Sequence, residues 1–232
     1  MAGEEDLFTP IHKGLRSMMY NLSSRLQTND FANLAETRAL VADLEHDFEV
    51  ARSAGCMVCV FHHHAQDEES AIFPDAAKFQ GSLISSLIDE HRGLTRRELE
   101  IARSAHQLLD LTDVGQRIEA GIKLNQSANE LLAAYISHMN REETELVPVM
   151  RQHFTDEQQA AMRGLIMGRM VPERLFGILG WMLPSLNVTE LTDLVVSVKE
   201  TAPPPFFDAV AKLCVARVDP ARWGAVKSRV GL

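Results

Sequence analysis

The chain has 232 residues, 46% of them hydrophobic and 24% charged, with a net charge of −9 at pH 7. Those values exclude disordered, collagenous and low-complexity architectures, and at roughly 100–200 residues per domain the length suits one large domain or a domain with an appended piece. The acidic balance argues against nucleic acid as main partner, no apolar run reaches the ~18 residues of a membrane span, and the acidic start (Met1 to Asp6) shows no signal segment; with only three cysteines, a reducing cytoplasm is the expected location.

Leu, Ala, Met, Glu and Arg dominate, aromatic residues are 6%, and β-branched runs of strand length are scarce, which predicts a nearly all-helical protein. Thr9–Pro10 reads as an N-cap followed by proline at the first helical position, and Leu15, Met18, Met19, Leu22 and Leu26 recur at helical spacing up to about Asn29–Asp30. A second stretch runs from about Phe31 to Phe73, broken at Ser53–Ala54–Gly55 and closed by Pro74. A third covers roughly Leu83 to Leu111. A fourth starts after Thr112–Asp113 and ends near Pro148. Four long helices with short connections predict an up-down-up-down four-helix bundle over residues 1–153.

After Phe154 the rhythm shortens. Thr155 to Gln158 and Asn187 to Glu190 have the form of capping boxes, Asp219–Pro220 repeats the cap-plus-proline pattern, and Pro172, Pro184 and Pro203–Pro205 divide the segment. Residues 154–232 are thus expected to form a C-terminal helical extension.

Placement of the nine histidines carries the functional reading. His64 to Glu68 and His138 to Glu142 both spell His-x-x-x-Glu, and in both a proline follows the glutamate by six residues. On a helix, positions i and i+4 lie on one face, so each motif presents an imidazole and a carboxylate in one direction. His12 and His91 add one histidine each from the first and third helices. Four nitrogens and two carboxylates suit a pair of iron or manganese ions, with Glu68 and Glu142 placed to bridge and positions left for a small ligand.

Each part also has an ordinary reading. A lone His-x-x-x-Glu is usually an exposed pair, but two matched copies are hard to assign to accident. His63 and His62 point about 100° and 200° off the His64 face, and His46, His106 and His153 read as surface residues. Glu69, Glu143 and Glu145 read as solvated charges beside the motifs. Cys56 and Cys59 form a single Cys-x-x-Cys without a second copy, which favours packing over redox or zinc chemistry, and Cys214 reads as core. Met18, Met19, Met57, Met139 and Met150 read as core filling, and Tyr135, three residues before His138, as a packing residue with a satisfied hydroxyl.

The ordered series His12, His64-x-x-x-Glu68, His91 and His138-x-x-x-Glu142 resembles the hemerythrin, or HHE cation-binding, domain over about Leu7 to Arg151. That likeness implies a four-helix bundle around a non-haem diiron centre, with the four histidines as terminal ligands and the two glutamates as bridges. Its members bind O2 reversibly, react with NO or peroxide, or sense iron and oxygen. The tail, from Phe154-Thr-Asp-Glu-Gln through Arg174-Leu-Phe-Gly-Ile-Leu-Gly-Trp-Met-Leu-Pro to Thr189-Glu-Leu, resembles the segment after the HHE repeats in plant BRUTUS-type iron regulators. The chain departs from the invertebrate oxygen carriers, which have His-x-x-x-His on the third helix; here Leu87 and Thr95 stand four residues either side of His91.

Two functional classes share these ligands. One is a sensor of O2, NO or iron status, with the extension as transmitter and a possible protein partner for it. The other is an enzyme turning over peroxide or NO or oxidising Fe(II). A metal-free interaction protein would require the paired motifs to be coincidence.

Overall fold

The computed structural model describes residues 6–48 and 57–232, and among them there is no strand. The bundle is built from α1 (Thr9–Thr28), α2 (Leu34–Phe48), α3 (Met57–Ala71), α4 (Phe73–Gln107) and α5 (Val114–Arg141), the last running through a π-helical turn (Glu142–Leu146) into α6 (Val147–His153). The expected break at Ser53–Ala54–Gly55 lies outside the described residues, as does Cys56.

Local chemistry moves several expected boundaries. Thr9 is already helical, and it is the Asp6 carboxylate that accepts from the Phe8 and Thr9 amides, at 3.0 and 2.9 Å. Pro74 opens α4 instead of closing the helix before it, a position where its missing N–H costs no helical bond. The third long helix therefore begins at Phe73, with a kink at Gln80 (φ −137°, ψ 59°) ahead of the stretch expected from Leu83. Pro148 does not end the fourth helix either. An α-helical Pro148 would lack its amide bond to the residue four before it; the chain widens into the π turn, where Val147 N–H reaches the Glu142 carbonyl, and continues to His153.

The far end of the bundle is tied by Arg117, whose guanidinium donates to the carbonyls of Phe31 (2.8 Å), Ala32 (2.9 Å) and Leu111 (3.0 Å) and so joins the two inter-helix turns. Beside it the Phe31 ring lies flat on Gly121, where a Cβ would come within 2.2 Å of the ring. Gly121→Ala should therefore cost about 1–3 kcal/mol by overpacking despite alanine's better helix propensity. Chemical denaturation checks this, and an unchanged midpoint contradicts it.

The extension forms α7 (Asp156–Met167), α8 (Pro172–Ser185), α9 (Val188–Thr201), α10 (Pro204–Arg217) and α11 (Pro220–Val230). Both expected capping boxes are present, and Asp219 caps α11. Leu183, Leu191, Val195, Val210, Cys214 and Val226 give the last four helices a core of their own. The extension packs on the bundle through α8, which runs along α1 and places Ile178 among the bundle's buried residues.

No helix among the described residues is long and apolar enough to cross a membrane.

Candidate metal centre

The bundle interior holds two apolar clusters with a polar layer between them. Each helix steps through all three at helical spacing: Phe8, His12 and Leu15 on α1; Phe61, His64, Glu68 and Ile72 at α3; Leu87, His91 and Leu94 on α4; Tyr135, His138, Glu142 and Leu146 along α5 and the π turn. Apolar residues above and below exclude water, so the polar layer is buried: His12 and Glu142 are fully covered and Glu68, His91 and His138 nearly so.

All six residues expected from sequence converge there, and they divide into two halves. His12 and His64 meet edge to face, with ring centroids 5.1 Å apart, and His91 and His138 do the same at 4.6 Å. Glu68 turns Oε1 to the first pair, 3.1 Å from His64 Nε2 and 3.8 Å from His12 Nε2, and Oε2 to the second, 3.3 Å from His91 Nε2. Glu142 does likewise, with Oε2 3.3 Å from His12 Nε2 and Oε1 3.3 Å from His138 Nε2. Each half is thus two imidazole nitrogens and one oxygen from each carboxylate, with donor atoms within 4.8 Å of one another.

Twelve buried side-chain nitrogen and oxygen atoms among the described residues have no hydrogen-bond partner, and eight of them are these four Nε2 atoms and four carboxylate oxygens. Leaving a buried polar group unsatisfied costs about 1–3 kcal/mol. Such a concentration of orphaned donor atoms, all aimed at one small volume, fits a site built for cations.

Outside the layer, carboxylates hold the rings. His12 Nδ1 meets Glu143 at 2.9 Å, His91 Nδ1 meets Glu69 at 2.8 Å and His138 Nδ1 meets Glu90 at 2.8 Å. These contacts fix each ring with Nε2 inward and raise its basicity as a ligand. Arginines steady two of the carboxylates in turn, Arg16 at Glu143 and Arg141 at Glu90. Glu69 and Glu143 are therefore ring-holding partners rather than the solvated charges expected; Glu145, paired with Arg141, stays on the surface. The signal for Glu69 and Glu143 was their place directly after the motif glutamates. Glu90 offered none beyond adjoining His91.

Electrostatics follow the same pattern. Burial opposes protonation of His12, His91 and His138, but the surrounding carboxylates outweigh it and raise all three, His91 to about 9. Burial wins at His64 and lowers it to about 4. Glu142 is held well below the ordinary carboxylate range because its close approach to the His12 and His138 rings outweighs burial. One turn below the layer, Tyr135 donates its hydroxyl to the buried Glu98, which burial raises to about 7. The tyrosine hydroxyl is satisfied as expected; its partner was not foreseen.

His62, His106 and His153 are exposed and His63 half-buried, all away from the cluster, and Cys214 is buried. Met18, Met19, Met139 and Met150 fill the core.

The hemerythrin HHE cation binding domain matches residues 5–150 of this chain. A zinc finger protein described as BRUTUS-like, from Arabidopsis thaliana, is 23% identical over 196 residues, which is 84% of this chain and 15% of that protein. A match of that length necessarily runs past residue 150 into the extension. No solved structure matches the chain.

Proposed function

The chain belongs to the hemerythrin HHE cation-binding domain family, and from that premise we propose that it holds two iron ions and serves as a sensor of a small molecule, O2 or NO, or of iron itself. The observation that carries the reading is the division of the cluster into two halves with the same donor set, sharing both carboxylates. His12 and His64 would hold one ion, His91 and His138 the other, with Glu68 and Glu142 across both. A set of four imidazoles and two carboxylates, with no thiolate, suits iron or manganese over the softer ions.

Iron bound there would supply reversible electron transfer and open positions for a diatomic ligand. The chain's part is to orient the rings through Glu143, Glu69 and Glu90, to keep bulk water out with Phe8, Phe73 and Leu87, and to hold the layer rigid between two apolar clusters. Phe73 stacks on the His91 ring with centroids 5.6 Å apart and so covers one face of that ligand.

Metal analysis and an optical spectrum of chain loaded with Fe(II) under argon, then exposed to air, test this. Two irons per chain and charge-transfer bands that reverse when O2 is removed are expected. Sustained peroxide turnover at the same iron content would instead make the protein an enzyme, and absence of iron would refute the assignment.

A further inference from the structure

The two halves of the cluster are braced differently. His91 and His138 stand on α4 and α5, which pack extensively against each other. His12 stands on α1 and His64 on α3, and the direct packing between α1 and α3 is slight. Among the described residues α1 lies on α5, α5 on α4 and α4 on α3, while the bundle helices themselves pack little across the α1–α3 seam.

The extension holds that seam, and it does so at residues adjoining the ligands. Lys13, directly after His12, pairs with Glu190 of α9. At Gly14, the next residue, α1 and α8 approach so closely that a Cβ would lie 3.2 Å from the Met182 backbone. On α3, Asp67, directly before Glu68, forms an ion pair with Arg174 of α8, both largely buried, and Arg169 donates to Ser70 at 2.6 Å. Ile178 fills the space between as part of the bundle core. Arg222 of α11 then donates to the Pro184 and Leu186 carbonyls at 2.6 and 3.0 Å, tying the end of α8 to the rest of the extension.

Resting on the six-ligand reading above, we infer that the extension is a working part of the cation site: the two halves are inequivalent, and affinity of the His12/His64 half depends on α8 docking through Arg174. The His91/His138 half, braced by the packing of α4 on α5 and sharing only Glu68 with α3, depends on the extension far less. Because coupling between two equilibria is reciprocal, a cation that needs α8 docked also tightens α8 docking by the same factor. Arg174 acts here as a positioning residue, through Asp67 and the α3 turn that carries His64, which serves this half alone, and Glu68, which serves both.

Co2+ titration of the full chain against a competing chelator tests this, because two unequal binding steps become separable. Arg174→Ala should leave the tighter step in place and weaken the other by about 5- to 100-fold, within the usual range of such couplings. Arg174→Lys, which keeps a charge for Asp67, should recover most of the loss, and Glu173→Ala on the exposed face of the same turn should change neither step. Amide exchange in α8 should slow on the second equivalent of Co2+ and not on the first. Equal weakening of both steps, no weakening, or α8 exchange indifferent to Co2+ would each overturn the inference while leaving the six-ligand reading intact. Failure of the unaltered chain to bind Co2+ would overturn both.

Discussion

Glu142→Ala should abolish paired cation binding altogether, whereas His64→Ala should leave one of the two ions in place. The difference follows from how the donor atoms are shared. His64 lends a single nitrogen to one half, while Glu142 gives one oxygen to each. Removing a hydrogen-bond partner behind a ligand typically costs 10–100-fold in affinity, and removing a bridging ligand should exceed that in both halves. The cation-free proteins should also differ. Glu142 faces His12 and His138, both fully or nearly buried and both raised by it. Breaking such a buried arrangement costs about 3–5 kcal/mol. His64 is uncharged at neutral pH because burial lowers it to about 4, so its loss removes packing but no ion pair. Metal analysis after dialysis and denaturant melts in chelator measure the two effects separately. Two ions retained by Glu142→Ala, or equal ion loss in both variants, contradicts the bridging role.

The parts of this arrangement that the sequence exposes are those set by helical periodicity. His64 with Glu68, and His138 with Glu142, are four apart on continuous helix, so their common direction follows from the backbone alone. His12 and His91 followed from being single histidines on the right face of helices already expected. What escaped is whatever depends on the space between helices. Glu90 turns away from its own helix to reach His138 on another, and Glu98 meets Tyr135 across the α4–α5 contact. Neither pairing has a sequence period. Proline misleads for a related reason: Pro74 and Pro148 read as stops in the sequence, yet one opens α4 and the other follows a π turn. Both sit six residues after a motif glutamate, so the irregular backbone lies directly beyond the cluster, where widened helical turns are commonly found at functional sites.

Cation-free protein should lose stability as pH rises from 6.5 to about 9, and bound cations should remove that loss. The loss belongs first to His91. Its folded-state value is raised from 6.5 to about 9 by Glu68, Glu69 and Glu142, against the effect of burial. A raised histidine contributes stability that is complete below pH 6.5 and lost as pH climbs through about 9. At about 1.4 kcal/mol per pH unit this amounts to about 3 kcal/mol, with His12 and His138 acting in the same direction. Below pH 6.5 two buried groups oppose each other: Glu98, raised by burial from 4.5 to about 7, and His64, lowered by burial from 6.5 to about 4. Glu98 contributes stability that is complete below pH 4.5 and declines until about pH 7, whereas burying His64 uncharged costs stability that is recovered as pH rises from about 4 to 6.5, so the two nearly cancel. A cation takes the place of the ring protons and cannot do so for Glu98. Ligation demands neutral imidazole, so cation affinity should rise over the window in which the cation-free protein weakens. Denaturant melts in chelator should show the decline between pH 6.5 and about 9, excess Co2+ should remove it, and the stability difference between the unaltered chain and Glu98→Gln in chelator should shrink as pH rises from about 5 to about 7. Glutamine keeps an oxygen for the Tyr135 hydroxyl while removing the charge. A cation-free protein equally stable at pH 6 and pH 9 would mean that the buried carboxylates are not balanced by protonated histidines, and the electrostatic account of the empty cluster would fail.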